Sequence, residues 1–584
     1  MLPLLQRLAR ALLPPAIRKP LADRFYIGLD RWRVLSGRCR GAVGRCRDAA
    51  GRMRARMTPH PRSGGRRLPT GALAVALARS ATGELRRAVW RGRHAVQHQL
   101  RRLSHRLMPL VWARPPHSVP VQMARPVVLA GLRVADIVQH RRFASLLDHA
   151  CPAGAPHGGD GRPQVCLLIG TLGPGGAERQ AANTAIGLAE GGNLDLTVIA
   201  THQEQEWQRF FTGPISGAGV PVCALERHDP LAALAACGHP DGARLAETIR
   251  TRLPPPLHDV AAYAREFLLR RPHVAHLWLD DVNVRAGLAA VLAGVPTIVL
   301  GTRSINPSNF ALFQPYMRGA YLALSRLPHV RLLNNSDTGA RDYERWLGLR
   351  PGHVSVVRNG FDFDHLLPPD AAAARTTARA RLGLPSEALV LGGIMRFSEE
   401  KRPLLWLDTA ELVLRRHPQV ELVLIGDGVL RHEVHARAAT GGLAGRVRLP
   451  GHDARAYEAI CAMDVLFLSS RHEGLPNVLI EAQALGVPVV TMRAGGAHET
   501  LTDGETGWVV PGPQAEDAAR VLADALADPA ALRRAGALGR KQARDRFGVR
   551  RMLDETARMY GLVPRRTAPN AAVDESPGGA SGDR

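Results

Sequence analysis

A chain of 584 residues is long enough for several domains, and its formal charge of +25 is confined to one of them. Residues 1–150 hold 30 Lys and Arg against 6 Asp and Glu, whereas the remainder is balanced at 47 against 46. No run of 18 apolar residues is present, so no membrane-spanning helix is expected. The seven cysteines, at 39, 46, 151, 166, 223, 237 and 461, make neither a C-x-x-C pair nor a zinc spacing, and read as reduced thiols of a cytosolic protein.

In chain order, residues 1–13 come first and predict an amphipathic helix. Leu4, Leu5, Leu8, Leu12 and Leu13 share one side, Arg7 and Arg10 lie opposite, and Pro14-Pro15 ends it. The two arginines interrupt the apolar stretch, so it is not a signal peptide. Residues 84–113 repeat the theme, with Leu85, Val89, Val96, Leu100, Leu103 and Leu107 against seven arginines, and with Trp90 and Trp112 at hand. Such helices suit an anionic membrane surface, and equally a helical add-on with exposed arginines. Nucleic acid is not expected, because no recognition motif or aromatic stacking array accompanies the charge. The mostly helical basic extension is placed at 1–150 and a Gly/Pro-rich linker at 151–163.

From there the pattern becomes strand–helix–strand. Val165–Ile169 is a buried-strand run, Thr171 to Glu178 a glycine turn, Arg179–Glu190 a helix and Leu194–Ala200 the next strand. Val274–Trp278, Thr297–Leu300, Arg331–Asn334 and Val354–Val357 continue the series. A second series runs through Val390–Ile394, Glu421–Ile425, Val447–Leu449, Val465–Leu468 and Val487–Thr491. Alternating strands and helices predict α/β domains, each a parallel sheet covered on both faces. Asp362–Ala374, with Pro368-Pro369, separates them. The expected boundaries are 164–366 and 375–543, then a helical piece at 544–563 and a Pro/Gly/Ser-rich tail at 564–584 that reads as disordered.

Residues 473–481 carry the chemistry: Glu-Gly-Leu-Pro-Asn-Val-Leu-Ile-Glu. Pro476 lies near a first helical turn, Val478, Leu479, Ala482 and Leu485 follow at helical spacing, and Gly486 is a stop. A glycine-bearing loop entering a helix presents free N–H groups and partial positive charge, which suits a diphosphate. Glu481, one turn in, can accept from the vicinal hydroxyls of a ribose, and Glu473 can reach a second polyol such as a sugar. A pair of glutamates eight apart is common by chance; Gly474, Leu475, Pro476 and Asn477 between them make the pattern specific. Arg396 and Lys401 follow a strand ending in Gly392-Gly393, and a cationic pair there can clamp both phosphates of a leaving diphosphate. Lys401 is one of only three lysines in the chain, with Lys19 and Lys541.

These elements resemble the donor site of retaining family-4 glycosyltransferases of the GT-B fold, in which two Rossmann-like domains face each other across a cleft. The resemblance covers roughly 164–563. It implies catalytic roles for Arg396, Lys401 and Glu473. It implies donor contacts from Gly175, Gly176, Gly474, Leu475, Pro476, Asn477 and Glu481, and a C-terminal helix that crosses back to the first domain. Gly426-Asp427-Gly428, Gly451, Gly495-Gly496 with Glu499, and Asn359-Gly360 fall where the family places turns.

One departure stands out. Where many relatives carry a histidine near the sugar, the strand Thr297–Leu300 leads to Arg303, a permanent cation able to meet a substrate carboxylate or phosphate, or to serve in a structural salt bridge. No metal and no cofactor beyond the nucleoside-diphosphate sugar are expected. The only D-x-D, Asp362-Phe-Asp364, sits in a turn, and Asp280-Asp281 can cap a helix. The resemblance implies a sugar transferred with retention to a lipid-linked or growing polysaccharide at the inner membrane face. A nucleotide-sugar epimerase or a non-catalytic scaffold are the alternatives.

Overall fold

The computed structural model describes residues 139–152, 161–310, 312–451 and 456–562, without the side chains of 456 and 457. These residues belong to one compact unit. The helices expected at 1–13 and 84–113, and the 564–584 tail, lie outside them.

Two all-parallel sheets organise the described residues. The first comprises β1 (Gln164–Ile169), β2 (Asp195–Ala200), β3 (Val222–Ala224), β4 (Val274–Trp278), β5 (Thr297–Gly301), β6 (Val330–Asn334) and β7 (Val354–Val356), in the order β3-β2-β1-β4-β5-β6-β7. The second comprises β8 (Val390–Ile394), β9 (Glu421–Ile425), β10 (Val447–Arg448), β11 (Val465–Leu468), β12 (Val489–Met492) and β13 (Gly507–Val510), in the order β10-β9-β8-β11-β12-β13. Strand β4 is buried along its whole length, as are β11 and β12, because helices cover both faces. Apolar clusters lie on both faces of each sheet. Strands β3 and β13 escape sequence reading: both are short edge strands, and one starts at a glycine.

In both sheets the strand order reverses once, between β1 and β4 and between β8 and β11. Ligands of open parallel sheets bind outside the carboxyl ends of strands at such a switch. The glycine turn after β1, Arg303 after β5, Asn335 after β6, Arg396 after β8 and Glu473 after β11 all lie at those ends.

Three elements differ from expectation. Helix 139–147, assigned by charge to the basic extension, inserts Phe143, Leu146 and Leu147 into the first domain's core. The Cys151 N–H donates to Leu292 O at 2.9 Å, continuing that attachment. The segment between the sheets is not a bare link: it holds a short helix, Phe363–Leu366, and the start of helix Ala371–Arg381, whose Arg379 donates to Asp464 in the second domain. The C-terminal helical piece is broken. Pro529–Phe547 packs on the second domain, Gly548 is extended, and Val549–Tyr560 lies on the first domain with Met552 and Tyr560 in its core. The break is pinned to the link, with Phe361 N–H donating to Phe547 O at 2.8 Å and Val549 N–H to Phe361 O at 2.9 Å.

Candidate active site

The second domain supplies one wall. Gly392 and Gly393 let β8 pack hard against Met463 and Trp406, so the chain leaves the strand at a fixed place and enters the turn carrying Arg396 to Lys401. The Ser469 hydroxyl, just past β11, donates to the carbonyls of Lys401 (2.9 Å) and Arg402 (3.1 Å) and holds that turn to the next strand end. Lys401 Nζ then donates to Glu473 Oε1 at 2.6 Å. These residues are 72 apart in the chain and mostly buried, at 24% and 8% side-chain exposure. Arg396 stands apart: it pairs with Glu400 at 2.8 Å and is 69% exposed. The two expected clamp cations are thus on one turn, each held by a different carboxylate.

The Glu473–Glu481 stretch forms the loop and helix that its pattern predicts. Pro476 is the N-cap residue, the helix spans Asn477–Ala484, and Gly486 adopts φ +80° just past its end. Gly474 sits against the carbonyl of Arg303 and the side chain of Asn335, leaving no room for a Cβ. Leu475 is not free for a ligand: its side chain joins Phe361, Phe363, Ile480 and Phe547 in an apolar cluster. Asn477 bridges the domains. Its Nδ2 donates to Gly176 O at 3.1 Å, and its Oδ1 accepts from Asn359 Nδ2 at 2.7 Å.

The first domain supplies the facing wall. Gly175 precedes helix Gly176–Glu190, and the Glu178 carboxylate folds back over it, so a Cβ at 175 would collide with it. Burial raises the Glu178 pKa, while Arg396 across the cleft and the Thr171 hydroxyl oppose that rise. Arg179 reaches over to pair with Glu481. Burial pushes the Glu481 carboxyl up and Arg179 pulls it down. Asn359 Nδ2 also donates to Leu475 O at 2.9 Å, and Gly360 N–H donates to Gln180 Oε1 at 2.9 Å. Glu499 accepts the N–H groups of Asp337 (2.9 Å) and Thr338 (2.7 Å), capping a first-domain helix from the second domain.

Arg303 is half-buried beneath the loop. Its guanidinium lies 3.6 Å from the Trp278 ring centroid, and its NH1 donates to Asn359 Oδ1 at 3.5 Å. No carboxylate pairs with it among the described residues, so the salt-bridge role considered from sequence has no acid behind it. Burial lowers its pKa to about 9, with Tyr560 opposing. Of the acidic pairs, Asp362 is the N-cap of helix Phe363–Leu366, whereas Asp280 does not cap: Leu279 is the N-cap residue of its helix, and no side chain caps that end. Asp362 accepts the N–H groups of Asp364 and His365, and Asp280 accepts the hydroxyls of Tyr321 (2.6 Å) and Tyr343 (2.5 Å).

Residues 374–542, which carry this donor wall, match the family described as glycosyl transferases group 1. The second domain thus carries a group 1 glycosyltransferase sequence, and the described residues have the GT-B fold. It is 32% identical over 384 residues to the Vi polysaccharide biosynthesis protein VipC/TviE of Salmonella typhi, covering 62% of this chain and 64% of that one. It is 38% identical to the lipopolysaccharide core biosynthesis glycosyltransferase LpsE of Rhizobium meliloti over 150 residues, 26% of this chain and 43% of that one. The chain thus spans less than two thirds of these curated relatives. The crystal structure of Anabaena Alr3699/HepE in complex with UDP and glucose superposes with TM-score 0.55 at 21% identity, covering 68% of this chain and 99% of that one.

The cleft holds three of its cations in pairs: Lys401 with Glu473, Arg179 with Glu481, Arg396 with Glu400. A dianionic ligand can enter by exchanging partners, taking the cations while the freed carboxylates accept hydroxyls. Sequence reasoning missed Arg179, Asn335 and Gln180. Only the Gly175-Gly176-Ala-Glu178 element, placing Arg179 one residue further along, signalled any of them. Among the described residues no helix is long and apolar enough to cross a membrane.

Proposed function

We propose that this chain transfers a sugar from a nucleoside-diphosphate sugar to a lipid-linked or growing polysaccharide acceptor, with retention and without a metal ion. The observation that carries the reading is the Lys401–Glu473 ion pair at the switch point of the second sheet. Lys401 released from Glu473 meets the diphosphate, and Arg396 adds a second cation from the same turn. Glu473, released in turn, accepts hydroxyls of the donor sugar, and Glu481 accepts those of the ribose. Negative charge grows on the diphosphate as the bond from C1 to its oxygen breaks, and preformed cations there lower the barrier. The acceptor oxygen bonds C1 from the same face, and its proton passes to the departing phosphate oxygen.

The glycine turn at Gly175 and Gly176 and the Pro476–Asn477 helix start close around the phosphates, excluding water. The names of VipC/TviE and LpsE speak of polysaccharide and lipopolysaccharide synthesis, which favours a surface-glycan acceptor. The HepE complex makes UDP the first base to try. The +24 charge of residues 1–150 supports attachment to an anionic membrane surface. The test is product analysis: full-length protein with a panel of nucleotide sugars and glycolipid acceptor yields an α-linked product from an α-linked donor and keeps its rate in chelator. An inverted product, or none from any donor, defeats the reading.

A further inference from the structure

We propose that Arg303 receives a carboxylate on the donor sugar, so that the donor is a nucleoside-diphosphate hexuronate rather than a neutral hexose. This rests on the donor-site reading above.

The first ground is charge balance. Three cations around it each answer a carboxylate: Lys401 with Glu473, Arg179 with Glu481, Arg358 with Asp337. Arg303 answers none among the described residues, having an aromatic face and one long bond to an amide. Removing a guanidinium from water is costly unless an anion meets it.

The second ground is the state of its neighbours. Arg303 Nε has no partner, and neither do Trp278 Nε1 or His276 Nε2 close by. Trp278 and His276 are fully buried on β4, so these donors lie in a dry place where an ionic acceptor would be held strongly.

The third ground is position. The Arg303 carbonyl packs on Gly474, immediately after Glu473, and its guanidinium reaches Asn359, which binds Leu475 O and Asn477. Arg303 therefore lies under the loop whose first residue holds the sugar, not beside Arg396 at the phosphate turn. A planar guanidinium stacked on a ring is preorganised for a carboxylate, and Lys would not substitute fully.

The experiment is calorimetric titration of full-length wild type, Arg303→Gln and Arg303→Lys. UDP and GDP come first; the base that binds is then compared as neutral and acidic conjugates: UDP-glucose with UDP-glucuronate and UDP-galacturonate, or GDP-mannose with GDP-mannuronate. Wild type is expected to prefer a uronate by at least about tenfold, a charge-assisted pair being worth that much. In Arg303→Gln the preference should collapse to within about threefold, with Arg303→Lys between. Binding of neither base overturns the donor-site reading itself. Binding of a base without uronate preference in wild type overturns the inference alone, as does a preference that survives Arg303→Gln. A loss of UDP or GDP affinity in both variants at unchanged melting temperature also overturns it, making Arg303 a diphosphate ligand. Should Arg303→Gln fail to fold, the wild-type comparison and Arg303→Lys still decide.

Discussion

The two walls of the cleft are built differently. The second domain gathers its chemistry in two short stretches, 396–401 and 473–481, joined by the 2.6 Å contact between Lys401 and Glu473. The first domain contributes single side chains from separate strand ends: Arg179 after β1, Arg303 after β5, Asn335 after β6 and Asn359 after β7. Contiguous stretches suit what every donor shares, a nucleoside diphosphate. Scattered positions can change one at a time, so they suit what differs between enzymes, the sugar and the acceptor.

The contrast breaks first at the phosphate turn. Lys401→Ala and Arg396→Ala are each expected to lower kcat by about 10²-fold or more, the scale of a lost transition-state charge contact. Because Lys401 is held by the buried Glu473 and Arg396 is exposed, Lys401→Ala should be the worse of the two. Near-normal turnover in both would remove the donor wall from the chemistry.

Next come the carboxylates. Glu481→Gln should weaken free UDP by about tenfold, a ribose contact being present in ground and transition states alike. Glu473→Gln should mainly slow transfer, leaving UDP affinity within about threefold. Titration calorimetry with UDP separates them, and equal losses in the two would mean that one wall does not divide sugar from ribose.

Arg179 tests the facing wall through pH. Burial raises the Glu481 pKa and Arg179 opposes it, so Arg179→Ala raises it further. A raised carboxyl pKa favours the folded state when protonated, so its penalty grows as pH rises through the folded pKa. Arg179→Ala should therefore cost about 1–3 kcal/mol at pH 8, the exposed partner moderating the loss, and less at pH 5. Urea unfolding at both values reads this, and a pH-independent loss would mean that Arg179 serves only packing.

The last contrast concerns the boundary with the basic segment. A chain starting near 137 should keep the core's melting temperature. One starting near 160 loses the burial of Phe143 and Leu146, about 1.5–3 kcal/mol each. Both should lose sedimentation with anionic liposomes, which the full chain shows at low salt and gives up as salt screens it. Sedimentation by the chain from 137 would place the membrane-binding surface elsewhere.

Several features were legible before any coordinates. Alternating strands and helices set two parallel sheets, since strands covered on both faces read as continuous apolar runs such as Val165–Ile169 and Val465–Leu468. The loop and helix at 473–484 were legible because Gly474, Pro476 and Gly486 punctuate it locally. Tertiary structure alone decided which side chains meet. Glu473 meets a lysine 72 residues away, and Glu481 an arginine 302 residues away. Arg303 could be named from its place after a strand, but not its lack of an acid partner. Helix 139–147 was misassigned because net charge marks a segment, whereas the burial of Phe143 and Leu146 marks a core. Backbone periodicity is a local property, written in neighbours along the chain; pairing and burial depend on the strand order that brings distant strand ends to one edge.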